Sequence, residues 1–492
     1  VSQARPRTVI VLAAGEGKRM KSSLPKVLHP LLGRTLVGHV LAAASAAGAD
    51  RTLVVVGHGG DAVPEHLAGI APDALTVRQE QQNGTGHAVR IALESLDAGL
   101  TGTVVVLNGD VPLLRGETVR ALIEAHETAG AAATVLAASV TDPTGLGRIV
   151  RAADGGLERI VEERDASAAE RLIAEVNAGI YAFDAAILRT TLGKLSTDND
   201  QGEEYLTDVF GLLAAAGEPV GVHVAADPEE TLGCNDRVEL AGLRARLRDR
   251  VNTALMRSGV AILDPATTWI DVTATVEPDA TIDQNTQIRG TSRVAAGATV
   301  GPDTTLIDTA VGAGATVLRA HAVEAEIGAR ASVGPYAYLR PKSRLHEKAK
   351  VGTFVETKNS EIGAGSKVPH LSYVGDATIG EQSNIGAATV FVNYDGVNKY
   401  RSVIGAHART GADNMFVAPV TVGDGAYTAA GSTITEDVPP GALGVSRARQ
   451  RNIEGWVERR RPGTAAAEAA GRARASQGEA NNDVADPDGS DS

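Results

Sequence analysis

Val294-Ala-Ala-Gly-Ala-Thr, followed at once by Val300-Gly-Pro-Asp-Thr-Thr and then Leu306, decides the fold of half of this 492-residue chain. An aliphatic residue leads each hexad, and small or turn-forming residues fill the spaces behind it. Working outward, the same kind of leader recurs at Val276, Ile282 and Ile288, and again at Ile379, Ile385 and Phe391. Such a rhythm marks a solenoid, whose repeats bury a continuous core only by stacking on one another. Three hexads make one triangular coil, leaders inward and turns at the corners. The repeat runs over roughly residues 265–445, and its period alone does not set the hand of the coil.

Composition agrees with small-residue packing: 55 glycines accompany only 3% aromatic residues, so tight turns matter more than ring stacking. The length supports at least two domains, each with its own core. A formal charge of -13 and the lack of a long basic tract argue against nucleic acid as principal partner, while leaving room for a local basic pocket. The single cysteine, Cys234, forms no internal disulfide and reads as a small buried side chain. The first apolar stretch, Thr8 to Ala14, ends in Gly15-Glu-Gly-Lys-Arg, too soon for a membrane span or signal peptide. No stable membrane insertion and a cytoplasmic location are therefore expected.

Upstream of the repeat, Thr8-Val-Ile-Val-Leu, Thr52-Leu-Val-Val-Val and Thr103-Val-Val-Val-Leu read as strands buried on both faces of a parallel sheet. Leu36 to Ala47 and Glu117 to Thr128 read as crossover helices, giving an open α/β domain over 1–227. Residues 228–258 predict a charged helical linker with Leu240, Leu243 and Leu247 along one side and Met256 in packing. The repeat domain is assigned to 259–460. The Ala-, Gly-, Glu- and Asp-rich residues 461–492 are expected to be disordered. Two segments are read as interruptions of the rhythm, Arg340 to Lys350 and Phe391 to Arg401, with the register resuming at Ile404. Insertions in solenoids often emerge on a binding face.

Leu12-Ala13-Ala-Gly15-Glu-Gly-Lys-Arg-Met follows the first strand directly. Gly15 and Gly17 allow the backbone to turn closely around a phosphate, although a glycine loop alone is more often a structural turn. Arg19 and Lys26 supply charge suited to a triphosphate; singly, each reads as solvated surface. The pattern is not a P-loop. Asp110, in Leu107-Asn-Gly-Asp-Val-Pro-Leu, follows a strand and reads either as a turn cap or as an oxygen ligand for Mg2+. Asn235 is a candidate second ligand, with phosphate oxygens and water completing the shell.

These motifs, with Leu24-Pro-Lys-Val-Leu-His, Gln82-Asn-Gly-Thr-Gly-His-Ala and Ile160-Val-Glu-Glu, resemble the N-acetylglucosamine-1-phosphate uridylyltransferase domain of a bacterial bifunctional family. The resemblance implies a nucleotidyltransferase domain with a Rossmann-like, parallel-rich sheet. It implies UTP contacts at Leu12, Ala13, Gly15 and Lys26, with Gln79, Gln82, Gly84 and Thr85 recognising uridine. Gly147, Glu162, Asn177 and Asn235 would position the N-acetylated sugar phosphate. Asp110 and Asn235 would carry Mg2+. The family's Asn-Thr-Gly-Ile stands here as Asn177-Ala-Gly-Ile, so one side-chain hydroxyl contact is lost. The implied reaction is attack of the sugar phosphate on the α-phosphorus of UTP with release of pyrophosphate, carried by orientation and electrostatics from Arg19 and Lys26.

In the repeat, Val368-Pro-His-Leu-Ser-Tyr sets His370 in what reads as a rigid local turn. A lone histidine is commonly structural, but a neutral imidazole suits the removal of a proton from an attacking amine. Arg340, Lys358 and Lys399 offer a phosphate-binding set, and Tyr373 and Asn384 offer directional hydrogen bonds.

Tyr338-Leu-Arg-Pro, Glu356-Thr-Lys-Asn-Ser, the His370 segment through Asp376, Ser383-Asn-Ile-Gly-Ala and Asn393-Tyr-Asp-Gly-Val-Asn-Lys resemble the left-handed β-helix acetyltransferase domain of the same family. That resemblance implies His370 as general base for glucosamine 1-phosphate, with Arg340, Lys358, Tyr373, Asn384 and Lys399 around the sugar phosphate. It implies acetyl-CoA contacts at Ala387, Asn393, Tyr394, Ala412, Ala430 and Arg447, Ala412 standing where a Ser is common. A homotrimer, with Trp456 packing into a neighbouring subunit or cofactor region, and a product destined for envelope precursors follow from the same source. Two rival readings are a uridylyltransferase with a noncatalytic repeat and a noncatalytic scaffold; both leave the polar groups of the repeat without a joint role.

Overall fold

The computed structural model describes residues 5–57, 60–199 and 201–482. In the first domain Arg7–Ala13 pairs parallel with Arg51–Gly57 on one side and with Thr103–Asn108 on the other. Alternate residues of this strand serve different cores. Val9, Val11 and Ala13 pack with Leu36–Ala46 and Gly116–Ala129, whereas Ile10 packs with Thr85–Glu94 and Phe210. Helices on both faces explain why the strand reads as a continuous apolar run. The nine-stranded sheet is parallel-rich, as expected. Its exceptions are Glu175–Asp184, which runs antiparallel between Thr103–Asn108 and Ala133–Ser139, and Leu157–Val161, antiparallel to Arg148–Arg151.

Asp236 starts the linker helix, Arg237–Arg257, by accepting from the amides of Val238 and Glu239 at 2.8 and 2.9 Å. Leu240, Leu243 and Leu247 are buried with Met20, Leu31, Leu36, Leu113 and Cys234, fastening the helix to the first domain. Cys234 is fully buried, as expected. Met256 differs from its expected packing role: Val251 and Leu255 turn towards the repeat core, and Met256 is left 38% exposed.

The repeat folds into three parallel sheets of seven, ten and nine strands. Each leader pairs with the leader one coil on: Val276 with Val294, Ile282 with Val300, Ile288 with Leu306. All of them are buried in one continuous core. The third residue after a leader turns the corner in the left-handed region, as at Asp279, Asn285 and Asp303, with φ of 64°, 55° and 51°. Short polar side chains tolerate that conformation. Yet Arg330, Tyr336 and Phe354 adopt it too, because stacking of the coils fixes the corner whatever occupies it.

One expected interruption is absent. Leu339, Leu345 and Val351 keep the hexad spacing and are buried, and Arg344–Leu345 is an ordinary rung paired with both neighbours. The basic side chains of Arg340 to Lys350 only point outward. The second interruption is real: Ile379 pairs with Ile404, and the chain between Val392 and Ser402 leaves the wall as a loop. The tail also differs from expectation, since Ala465–Asn482 is helical. Its Ala, Glu and Arg are strong helix formers, and Arg474 reaches back to Glu458. Residues 483–492 lie outside the described part of the chain. No helix among the described residues is long and apolar enough to cross a membrane.

Candidate active sites

The strand ends of the first domain converge on one edge, where ligands of open α/β sheets bind. Asp110 follows Thr103–Asn108, and its neighbour Gly109 donates to Leu12 O at 2.9 Å, tying the loop to the first strand. Lys26 forms a short ion pair with Asp110, both side chains less than a fifth exposed. The Cys234 amide donates to Asp110 O at 3.0 Å, which draws Asn235 to the same place. Asn235 lines a cleft of about 440 Å³ with Glu16, Gly17, Lys18, Arg19, Lys26 and Gln201. Gly17, at φ 64°, packs directly on the Lys26 side chain, whereas Gly15 faces open space.

Gln82 bridges the glycine loop and its own loop, its amide donating to Ala14 O at 2.6 Å. Gln79 is buried, and its amide nitrogen is engaged by Gly84 O at 3.2 Å and His87 Nδ1 at 3.0 Å. Thr85 Oγ1 accepts from the Leu206 amide at 3.1 Å, and Gly86 donates to Glu204 O at 2.8 Å. The uridine candidates thus form one braced loop. On the other side of the edge, Asn177 N donates to Gly147 O at 2.8 Å, and both lie beside Glu162. Asn177 Oδ1 accepts from Gly179 N at 2.9 Å while its amide donates to the Tyr181 hydroxyl at 2.8 Å. Gly179, at φ 69°, lies so close to the Asn108 amide that a Cβ would collide with it. Burial pushes the half-buried Glu162 carboxyl up, against the Thr207 hydroxyl that donates to it at 3.2 Å.

On the repeat, His370 ends the Lys367–His370 strand, and the turn begins only at Leu371, φ 48°. The rigid turn expected at His370 is therefore displaced by one residue. The exposed imidazole stands at a corner, and His370 O accepts from Ala388 N at 3.2 Å. Ala387, Ala412 and Ala430 form a column along this corner: Asp413 N donates to Ala387 O at 2.7 Å and Gly431 N to Ala412 O at 2.9 Å. Asn384 lies on the same wall as His370, one coil on, as a bridge between Lys367 and Arg409. Arg447 is exposed on the last coil.

The basic set gathers beneath the loop. The Lys399 ammonium lies against that of Lys358, which pushes its pKa down, with Arg340 nearby adding to the effect. Arg340 donates to Glu356 at 2.8 Å, and the Tyr373 hydroxyl leans over Gly375 beside the Asn393 amide. Asn393 is buried, whereas Tyr394 is exposed and donates to Gly396 O at 2.6 Å within the loop. Glu204, Thr207 and Asp376, which brace these sites, were not singled out from the sequence. Their signal was absent because they act through contacts far away in the chain.

Fold and comparisons together define a two-domain transferase, an α/β nucleotidyltransferase domain followed by a β-helix. Residues 9–179 match the model of the MobA-like NTP transferase domain. The chain is 60% identical to the bifunctional protein GlmU of Streptomyces avermitilis, over 96% of this chain and 98% of that protein. It is 60% identical to that of Streptomyces coelicolor over the same shares, and 58% to that of Thermobifida fusca over 96% and 99%. The chain belongs to the bifunctional GlmU family, with the left-handed β-helix of that family, and carries both the acetyltransferase and the uridylyltransferase activity of UDP-N-acetylglucosamine synthesis. A noncatalytic repeat or scaffold is thereby set aside.

Proposed function

We propose that the two activities divide between the two sites. The strand-end cleft binds UTP and N-acetylglucosamine 1-phosphate. A phosphate oxygen of the sugar attacks the α-phosphorus, and the bond to the pyrophosphate leaving group breaks. Lys26 and Arg19 face the growing phosphoryl charge, and the braced Gln79–Thr85 loop holds uridine through Gln82 and backbone groups. Asp110 and Asn235 would hold Mg2+. This donor set fits: one carboxylate and one amide oxygen suit a hard cation that keeps water and phosphate in its shell. When bound, the ion would neutralise phosphate charge.

On the β-helix, Arg340, Lys358, Tyr373, Asn384 and Lys399 hold glucosamine 1-phosphate. Its amine attacks the thioester carbonyl of acetyl-CoA, His370 accepts the amine proton, and coenzyme A leaves as thiolate and takes up a proton. Asn384 and the backbone at Ala387 orient the carbonyl, while Asn393, Tyr394, Ala412, Ala430 and Arg447 line the cofactor's path. The observation that carries this reading is the meeting of two ammonium groups, Lys358 on the ten-stranded wall and Lys399 in the loop that leaves that same wall after Val392. The assembly is a homotrimer with acetyl-transfer sites between subunits. Exposed apolar residues support it: Leu371 next to His370 at 61%, Val397 in the inserted loop at 83%, and Trp456 in the helix after the last coil at 45% exposure. The enzyme works in the cytoplasm and supplies envelope precursors.

The test supplies glucosamine 1-phosphate, acetyl-CoA, UTP and Mg2+ and follows both products over time. N-acetylglucosamine 1-phosphate should appear first, then UDP-N-acetylglucosamine with pyrophosphate. No acetylated intermediate from folded enzyme would refute the assignment of the β-helix site.

A further inference from the structure

We propose that Asp376 is the positioning residue of the sugar-phosphate pocket, its buried carboxylate joining three successive coils so that Lys358 and Lys399 face one phosphate together. The inference rests on the reading of that pocket given above. Lys358 and Asn359 lie on one coil, Asp376 on the next and Asn393 at the base of the inserted loop on a third. Asn359 donates to Asp376 Oδ1 at 2.6 Å, the Asn393 amide donates to Oδ2, and the Lys358 ammonium sits 3.5 Å from Oδ2. Asp376 is only 7% exposed and holds φ 48° at its corner. Its backbone is fixed from both sides, its amide donating to Lys358 O at 2.9 Å and its carbonyl accepting from Ser402 N at 3.1 Å.

A buried carboxylate needs such a set of donors to stay charged. Burial works against its charge, but Asn359, Asn393 and Lys358 outweigh burial and hold its carboxyl below the usual carboxylate range. The charge has an evident use. Lys358 and Lys399 repel each other, Arg340 repels both, and the Glu356 carboxylate is engaged with Arg340. Asp376 is the anion that lies among the two lysines themselves, and through Asn393 it also anchors the loop that brings Lys399. Without a substrate phosphate it keeps the cations assembled; with one bound, the phosphate supplies the second counter-charge.

Asp376→Asn tests this in the full-length enzyme. The KM for glucosamine 1-phosphate should rise about tenfold while kcat stays within about threefold, the scale of a charged hydrogen bond lost. Loss of the carboxylate should also let Lys399 deprotonate sooner, so the alkaline rise in KM moves to lower pH while the acidic limb of kcat stays put. Uridylyl transfer from supplied N-acetylglucosamine 1-phosphate reports that the chain is folded. If Asp376→Asn does not fold, Asn359→Ala carries the same test, with KM raised about threefold through one weakened donor. An unchanged KM with an unchanged pH profile would overturn the inference, as would parallel loss of kcat together with a lowered melting temperature. Lys399→Ala separates the levels. If it leaves KM unaltered, the pocket reading itself fails; if it raises KM and Asp376→Asn does not, only the positioning role fails.

Discussion

The Lys26 ammonium and the Asp110 carboxylate form an ion pair between two loops at the strand-end edge, both side chains less than a fifth exposed. Each is the other's nearest counter-charge, so a partner left behind alone would be a poorly solvated charge.

Asp110→Ala should therefore cut uridylyl transfer by about 10²-fold or more and leave acetyl transfer intact. Pyrophosphate release from UTP and N-acetylglucosamine 1-phosphate reads the first, and free thiol release from acetyl-CoA the second. Equal loss of both activities would point to misfolding instead.

His370→Ala gives the converse pattern. Removing a general base costs about 10²- to 10⁴-fold, so acetylation should nearly stop while uridylylation of supplied N-acetylglucosamine 1-phosphate continues. A variant that acetylates at the parental rate would rule out the imidazole as base.

Glu162 carries a pH signature. Its folded pKa is raised, chiefly by burial, so the folded state keeps the proton longer than the unfolded chain. Stability should then fall as pH rises from the unfolded glutamate value, about 4.3, through the folded value, and the carboxylate remains a burden above it. Glu162→Gln should flatten that fall and melt higher at neutral pH, yet raise the KM for N-acetylglucosamine 1-phosphate. Calorimetry across the acid to neutral range checks the first; a steeper fall in the variant would contradict it.

Gly33 joins the domains. At φ 88°, a Cβ there would lie 2.7 Å from Thr273 Oγ1 and 2.8 Å from Asp271 Cβ, next to the bond from Val272 N to Leu32 O at 3.0 Å. Gly33→Val should destabilise the enzyme by about 1–3 kcal/mol and split its thermal unfolding into two resolved transitions. A single transition at the parental temperature would show that the contact is slack.

The coils were legible because a period forced by geometry shows through any outward side chain. Val276, Ile282 and Ile288 alone fix the three walls. The same insensitivity explains the misreading of Arg340 to Lys350, where outward basic residues looked like an insertion although Leu345 keeps the beat. The first domain's parallel core was legible from its apolar runs, but the antiparallel Glu175–Asp184 strand was not, since pairing direction leaves little trace in a buried strand. Site residues could be named one by one. Their braces could not: Thr207 reaches Glu162, and Asn393 reaches Asp376, only after the chain has folded.

The loop between Val392 and Ser402 leaves the wall without disturbing it, for Ala377 still meets Ser402 and Ile379 still meets Ile404. The coil behaves as a socket that accepts a cartridge. Exchanging that cartridge for one of different length or chemistry should retune which acceptor is recognised without re-laying a single rung, so selectivity and scaffold can evolve, or be engineered, on separate schedules.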